Sequence, residues 1–317
     1  MSNHSKDYKN IFLKFLHGLY LSYIPNKRDN LKRIILKSLF LLCFVTLIVS
    51  ASYIGNYFSQ ANKQEDIVND SRTLWHEQSA QPTVNDDGKR ELSEAAKAML
   101  AQNGDFKGWI KINNTKIDNP IYQTDNNNFY LNHNQQKKKS VYGALYFDYK
   151  NKITEKKVDR NLVIYGHEMK NGSMFGELKK LKDLNFYKQN PTIEFSTLYN
   201  DSTYKIYAIF VLNANKKDDD GKIYNIYRQN FLGAADFDAW VNEAYERSII
   251  NTGVDVKQDD NIITLVTCTG DFDNARLVVM AREKRGDESN VMDTSVATVN
   301  PNPHYPAKWY KARGISK

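Results

Sequence analysis

The chain has 317 residues, 41% of them hydrophobic, and a net charge of +7. Residues 1–37 carry eight Lys/Arg and two acidic side chains, whereas the remaining residues carry 36 basic and 35 acidic ones. Because the basic charge is confined to the N-terminus, the composition argues against a nucleic-acid-binding protein. The length is sufficient for one large domain or two small ones with a substantial core.

An uncharged apolar segment, S-L-F-L-L-C-F-V-T-L-I-V-S-A-S-Y-I (Ser38–Ile54), follows the basic N-terminus. Extended back to Ile34, it has about twenty residues, the length that an α-helix needs to cross a bilayer. A cleaved signal peptide and a buried core helix are the alternatives, but the segment before it is long for a signal peptide and no clear cleavage site stands out. We therefore predict a transmembrane signal anchor over residues 34–55, with residues 1–33 in the cytoplasm and the residues from about 56 onward outside.

The next segments introduce a β-rich domain. Residues 56–90 are polar and are predicted to form an extracytoplasmic stalk. E-L-S-E-A-A-K-A-M-L-A-Q-N-G (91–104) contains strong helix formers and ends in Asn-Gly, a typical helix stop. Eight short β-prone runs separated by turn residues follow, over residues 109–112, 116–122, 144–148, 161–165, 192–195, 204–212, 261–268 and 276–282. Many short strands with little helix between them predict a mainly β fold, a barrel or a sandwich.

Two helical patterns and a polar tail complete the chain. Residues 174–184 and 236–245 each space their apolar residues so that one face of a helix would be buried. Residues 286–317 form a polar tail that is predicted to be extended or disordered. The sequence has no phosphate-binding glycine loop, no Cys-x-x-Cys and no His-Glu-x-x-His spacing, so it predicts neither a metal site nor a cofactor.

The predicted ectodomain contains one cysteine, Cys268, because Cys43 lies in the apolar segment. An unpaired thiol outside the cell is exposed to oxidation, so its presence suggests a chemical role. Cys268 ends one predicted strand and Arg276 begins the next, so an antiparallel hairpin would bring their side chains together. An arginine there can stabilise a thiolate, or the oxygen of a carbonyl that the sulfur attacks. The alternative is a buried structural cysteine and a surface arginine.

A cysteine nucleophile also needs a proton-transfer partner, which is usually a histidine. The ectodomain has four histidines: His76, His133, His167 and His304. His167 is the first choice because it directly follows a predicted strand, and strand-end loops commonly present reactive side chains. His133 is the second choice. For His167, the structural alternative is a hydrogen-bonded loop histidine.

The sequence T-L-V-T-C (264–268) followed by Arg276, with Y-G-H-E-M-K-N-G-S-M-F-G-E-L (165–178) about a hundred residues earlier, resembles the sortase family. The histidine-containing run and the long helical insertion before the cysteine strand are most similar to class B. The early strands also fit, in W-I-K-I-N-N-T-K-I-D-N-P-I-Y-Q (109–123) and G-A-L-Y-F-D (143–148). The resemblance covers roughly residues 95–285 and the membrane anchor, and the tail beyond residue 285 is longer than class B domains usually have.

The resemblance implies an eight-stranded β-barrel with added helices, over residues 91–285, and a cysteine transpeptidase on the outer face of a Gram-positive membrane. It implies Cys268 as the nucleophile, His167 as the general acid/base and Arg276 as the residue that stabilises the oxyanion or the substrate carbonyl. The implied substrates are surface proteins or pilins with a C-terminal sorting signal of the Asn-Pro-x-Thr type, cleaved after its threonine. The acyl group would pass from a thioacyl enzyme to an amine of a peptidoglycan precursor or a pilin. The insertion over residues 213–258 would form one wall of the substrate groove.

Two other functions remain open at this point. A surface cysteine protease would use the same residues but release the acyl group to water. A membrane-tethered binding module would keep Cys268, His167 and Arg276 for structural reasons alone.

Overall fold

The computed structural model describes residues 3–78, 83–84, 90–155, 157–215 and 223–316. The chain divides into two compact units, Met1–Lys63 and Gln64–Lys317. The first unit contains helix α1 (Asn3–Tyr23) and the N-terminal part of the long helix α2 (Leu31–Glu77), whose remaining residues belong to the second unit.

Helix α2 contains a stretch that is long and apolar enough to cross a membrane, and none of that stretch is buried. The helix begins after Asn30, whose side-chain oxygen accepts a hydrogen bond from the Arg33 N–H at 3.0 Å, as in a typical N-cap. Lys37 lies one turn further and pairs with Asp29 at 2.7 Å. Its length and composition make α2 a candidate membrane anchor.

The elements of the second unit are short strands with a few helices between them. Its strands are β1 (Thr83–Val84), β2 (Arg90–Glu91), β3 (Phe106–Lys111), β4 (Asp118–Tyr122), β5 (Leu145–Phe147), β6 (Asn161–Tyr165), β7 (Thr192–Thr197), β8 (Asp201–Asn213), β9 (Ile250–Asn251), β10 (Ile262–Cys268), β11 (Ala275–Glu283) and β12 (Thr298–Val299). Its further helices are α3 (Glu94–Gln102), α4 (Phe129–Asn132), a 3-10 helix (Leu178–Lys182), α5 (Leu184–Gln189), α6 (Ala234–Arg247) and α7 (Ala307–Ala312).

Eight of these strands form a closed barrel in the order β10-β11-β8-β7-β3-β4-β5-β6, and they are the eight that the sequence predicted. The barrel closes where β6 and β10 pair in parallel. One apolar cluster contains buried residues from all eight strands and fills the interior. Because side chains alternate along a strand, Leu265 and Val279 enter this interior while Val266 and Val278 pack outside against α6. The predicted mainly β barrel with added helices is confirmed.

A buried polar contact fixes the seam between β6 and β10. The Thr264 hydroxyl donates to Asn161 Oδ1 at 2.7 Å, and Asn161 Nδ2 donates to the Ile226 carbonyl at 2.8 Å. Both side chains are buried. A one-residue slip would leave these polar groups buried without partners, so the contact holds the register of the seam.

The first helical pattern is only partly correct. Residues 174–184 bury Met174, Leu178 and Leu181 as expected, but the backbone there is a turn followed by the 3-10 helix. A new α-helix starts at Leu184 because the Asp183 carboxylate caps it, accepting a hydrogen bond from the Phe186 N–H at 2.9 Å. The spacing of the apolar residues fits both helix types, so it could not distinguish them. The second pattern corresponds to α6.

The expectation of a stalk over residues 56–90 is corrected for its middle part. Residues 64–77 continue helix α2 and pack on the barrel unit through one face, which buries Gln64, Val68, Ser71 and Trp75. The Trp75 ring stacks on Trp109 with 5.1 Å between ring centroids. Because two of the four buried residues are polar, the hydrophobicity pattern did not predict this buried face. Residues 79–82 and 85–89 of the predicted stalk lie outside the described residues.

The expectation of an extended or disordered tail over residues 286–317 is also corrected. Ala297 is buried in the core, and the next two residues form β12, which pairs with β9. Asn300 Nδ2 donates to the Ser248 carbonyl at 2.7 Å, and the His304 N–H donates to the Glu246 carbonyl at 2.8 Å. Polar and backbone groups make most of these contacts, so the tail lacks the apolar pattern by which packed segments are recognised.

A buried arginine joins the start of the tail to the barrel. Arg282 is 2% exposed, and its guanidinium donates to Glu288 at 2.6 Å and to Asp255 at 3.3 Å. The hydrogen bonds from Arg282 hold the pKa of Glu288 well below its usual range. The ion pair therefore depends on a carboxylate that stays charged even in mild acid.

We expect Glu288→Gln to destabilise the protein by about 1–3 kcal/mol at neutral pH, because it removes a charged partner of a buried guanidinium. Since the folded-state pKa of Glu288 is depressed, its contribution is present above the unfolded pKa of about 4.3 and is lost as the pH falls through the folded value. The difference in melting temperature between wild type and variant should thus be largest near neutral pH and should begin to shrink below about pH 4. Circular dichroism of the full chain in detergent measures this. Asp287→Asn, an exposed change of the same charge in the same turn, is the control, and an equal loss in both variants would contradict the assignment.

Candidate active site

Cys268 and Arg276 occupy directly opposed positions in the sheet. Cys268 is the last residue of β10, and Arg276 is its antiparallel partner in β11. Directly opposed residues project to the same face of a sheet, with their Cβ atoms roughly 5 Å apart. The β10 residues before Cys268 are buried, whereas Cys268 itself is exposed. The predicted hairpin is confirmed, and it presents a thiol at the barrel edge.

The loop between these two residues is held by its own backbone. The Thr269 N–H donates to the Ala275 carbonyl at 3.3 Å, and the Ala275 N–H donates to the Phe272 carbonyl at 3.1 Å. Arg276 Nη1 donates to the Ala275 carbonyl at 3.0 Å. This bond orients the guanidinium and uses one of its five N–H donors.

His167 is brought to the same edge by the neighbouring strand. Because β6 and β10 are parallel, they end at the same edge of the barrel, so His167, just beyond the end of β6, lies beside the end of β10, where Cys268 is the last residue. The Gly166 N–H donates to the Val266 carbonyl at 3.2 Å, and the Thr267 hydroxyl donates to the Gly166 carbonyl at 2.8 Å. A side chain at position 166 would clash, since its Cβ would lie 2.3 Å from a Leu145 methyl carbon. The glycine thus allows the tight packing that precedes the histidine.

The imidazole of His167 has a defined partner. Its Nε2 lies 2.8 Å from the Leu131 carbonyl oxygen. A carbonyl oxygen can only accept a hydrogen bond, so Nε2 carries a proton and Nδ1 is the nitrogen that can gain one. The contact fixes the ring orientation without using a charged partner.

One open cleft of about 450 Å³ is lined by all three candidate residues. Residues 223–227, from the insertion over 213–258, contribute Ile223, Tyr224, Ile226 and Tyr227 to the lining. The lining also includes Asn127, Asn128 and Leu131. Residues 216–222 of the insertion lie outside the described residues. An open cleft of this size can hold a short extended segment of peptide.

Two tyrosines beside the candidate residues were not identified from the sequence. Burial raises the pKa of Tyr146, and nearby Cys268 and Arg276 influence it in opposite directions. Burial also raises the pKa of Tyr165, whose hydroxyl donates to Asp148 at 3.0 Å. Both phenols therefore stay protonated at physiological pH. Tyr165 could have been identified from its position, since it immediately precedes Gly166-His167 at the strand end.

Two of the other histidines, His133 and His76, have structural contacts. His133 Nδ1 lies 2.8 Å from the Phe129 carbonyl, and its ring stacks on Phe129 with 4.3 Å between centroids. His76 Nε2 lies 3.0 Å from the Asp118 carboxylate. Neither belongs to the cleft lining. Among the described residues, no cluster of His, Cys, Asp and Glu has an arrangement that would hold a metal ion.

The chain is similar to known proteins of one family. The family model described as Sortase domain matches residues 110–284, more than half of the chain. Sortase B of Listeria monocytogenes is 29% identical over 248 residues, 78% of this chain and 95% of the relative. Sortase B of Staphylococcus aureus is 30% identical over 182 residues, 57% of this chain and 70% of the relative.

A solved structure shows the same likeness. The structure of Clostridium perfringens sortase B is 35% identical, with a TM-score of 0.53, and the match covers 60% of this chain and 99% of that one. The agreement of family model, relatives and barrel fold confirms the expected resemblance and excludes a purely structural binding module as the class of protein. The chain belongs to the sortase family, as a cysteine transpeptidase of the sortase B type.

Proposed function

We propose that Cys268 is the nucleophile, His167 the general acid/base and Arg276 the stabiliser of the developing negative charge. The observation that carries this proposal is that opposed strand positions and parallel strand ends bring these three side chains into one cleft. The exposed thiol supports the role of Cys268, and the single orienting contact of His167 supports a ring that can exchange a proton.

The chemistry follows from those roles. The Cys268 thiolate attacks the carbonyl carbon of the scissile amide, and the Arg276 guanidinium stabilises the charge that develops on the carbonyl oxygen. The protonated imidazole of His167 gives its proton to the departing amine, which leaves a thioester on Cys268. An incoming amine then attacks the thioester, and His167 takes up the proton that this amine loses. The new amide departs and the thiolate is restored.

The substrate of this reaction is proposed from the sortase B relationship and the shape of the cleft. We infer a C-terminal sorting signal of the Asn-Pro-x-Thr type, cleaved after its threonine, on surface proteins or pilins. The acceptor is an amine of a peptidoglycan precursor or a pilin lysine. The open cleft, lined in part by residues of the insertion and by Asn127, Asn128 and Leu131, supports binding of an extended peptide.

Residues 34–55 of α2 are proposed to anchor the enzyme in the cell membrane. The basic residues 1–33 favour a cytoplasmic N-terminus, which would leave the catalytic barrel outside. An enzyme and precursors held at one membrane meet at a high effective concentration. This arrangement favours aminolysis of the thioester over hydrolysis.

The first test concerns the thiol. In full-length protein carrying Cys43→Ser, held in detergent, a methanethiosulfonate reagent should label Cys268 once without denaturant, because this side chain is exposed. Mass spectrometry counts the label. Labelling that requires unfolding would instead show a buried, inert cysteine.

The second test separates the three roles through turnover of a fluorescent Asn-Pro-x-Thr peptide. Cys268→Ala should abolish turnover, and His167→Ala should lower it by about 10²–10⁴-fold or more. Arg276→Lys keeps the charge but loses the planar fork, so the expected loss is on the order of 10²-fold. His133→Ala is the matched control and should keep most of the activity. Wild-type activity in Arg276→Lys, or equal losses in the two histidine variants, would refute the corresponding role.

The third test identifies the fate of the acyl group. The same peptide is supplied with and without a primary amine, either a glycine oligomer or a lysine peptide of pilin type. We expect an amine-dependent ligated product, with slow hydrolysis when the amine is omitted, because water then becomes the acceptor. Mass spectrometry distinguishes the products. Fast hydrolysis without ligation to any amine would favour the protease alternative.

A further inference from the structure

The loop that follows Cys268 is tied by charge to two other segments of the chain. Asp271, three residues after Cys268, has a side chain that is 10% exposed. Its carboxylate accepts hydrogen bonds from Lys182 Nζ at 2.9 Å, from the Thr269 hydroxyl at 2.7 Å and from Arg313 Nη2 at 3.3 Å. Because this carboxylate is largely buried and has two cationic partners, its position in the loop is well defined.

Lys182 belongs to the segment that carries His167. This segment leaves β6, turns back so that the Phe175 N–H donates to the His167 carbonyl at 3.0 Å, and ends in the 3-10 helix Leu178–Lys182. Leu178 and Leu181 of that helix are fully buried, so its position is set by the core. The Asp271–Lys182 pair therefore connects the cysteine loop to a rigid part of the histidine segment.

Arg313 brings in the C-terminal tail. It follows α7, and its guanidinium stacks on the Trp309 ring at 3.9 Å from the centroid. Trp309 in turn stacks on Tyr305 at 3.8 Å. These stacking contacts restrict the rotation of the Arg313 side chain. Its guanidinium is therefore already oriented for the contact with Asp271.

The charge of Asp271 is maintained by these neighbours. Burial alone would raise the pKa of Asp271, but the contacts with Lys182, Thr269 and Arg313 lower it overall. The carboxylate is therefore ionised at any pH at which the enzyme would work.

We infer that Asp271 and Arg313 are positioning residues, and that the C-terminal tail takes part in catalysis by fixing the cysteine loop against the histidine segment. This inference rests on the proposed roles of Cys268 and His167. Neither Asp271 nor Arg313 lines the cleft, so they act through the geometry of the loop. Small displacements of reacting groups reduce turnover strongly, whereas peptide affinity depends on the cleft walls.

The test compares four variants of the full-length protein in detergent, using the fluorescent peptide. Asp271→Asn keeps the shape but removes both ion pairs, so kcat should fall about 10-fold, and Arg313→Ala should lower kcat about 3-fold because one pair remains. KM should change by less than about 2-fold, since the cleft lining is intact. Arg313→Lys should recover most of the loss. Lys311→Ala removes the same charge from an exposed position of α7 and should behave as wild type.

The double variant Asp271→Asn/Arg313→Ala decides whether the two residues act together. If Arg313 works through Asp271, the double variant should be no slower than Asp271→Asn alone. Multiplying losses, a wild-type kcat in Arg313→Ala, or an equal loss in Lys311→Ala would overturn the inference. Melting temperatures close to that of wild type are expected, and a loss of kcat that only follows unfolding would also overturn it.

Cys268→Ala, measured alongside, separates this inference from the proposed function. Turnover that persists in Cys268→Ala would refute the proposed nucleophile and with it the positioning role. If Cys268→Ala is inactive while Asp271→Asn and Arg313→Ala match wild type, only the positioning inference fails.

Discussion

Parallel pairing of β6 with β10 is the constraint on which the candidate site depends. Five register pairs, from Asn161↔Ile262 to Tyr165↔Val266, bring the end of β6 beside the last residues of β10. His167 lies two residues beyond Tyr165 and Cys268 two residues beyond Val266, and the antiparallel pairing of β10 with β11 adds the arginine. The site thus needs no local motif that encloses all three residues. It needs only that the barrel closes in the correct register, which the buried Thr264–Asn161 contact enforces.

The residues around the cleft are of two kinds, buried polar groups whose hydrogen bonds are satisfied and an exposed thiol. Asp148 is 3% exposed and accepts hydrogen bonds from Tyr165, Asn127 Nδ2 and the Lys150 N–H, so its bonding capacity is largely used. Cys268, by contrast, is exposed at the strand end. Satisfied buried groups hold the walls in place, while the group proposed to change its bonding stays accessible.

The sequence was informative wherever side-chain type and spacing carry the structure. The eight strands were predictable because buried β-branched and aromatic runs alternate with turn residues, and the Cys268–Arg276 hairpin was predictable from its spacing. His167 was preferred over His133 by its position after a strand, and its place in the cleft agrees with that preference. The tail and residues 64–77 were misjudged because their packing uses Gln64, Ser71, Ala297 and backbone hydrogen bonds. The Asp271–Lys182 pair joins residues 89 positions apart, which no local pattern reveals.

The seam contact between Thr264 and Asn161 spans 103 residues of sequence. Closing so long a loop costs chain entropy before any contact forms, and pairings of this kind govern the folding rate of β proteins. The strands next to His167 and Cys268 therefore cannot pair through local contacts early in folding. A chain in which this seam has not yet closed, or one cleaved between β6 and β10 and separated, holds Cys268 without an assembled candidate site. Assembly of the site is in this sense a property of the completed fold.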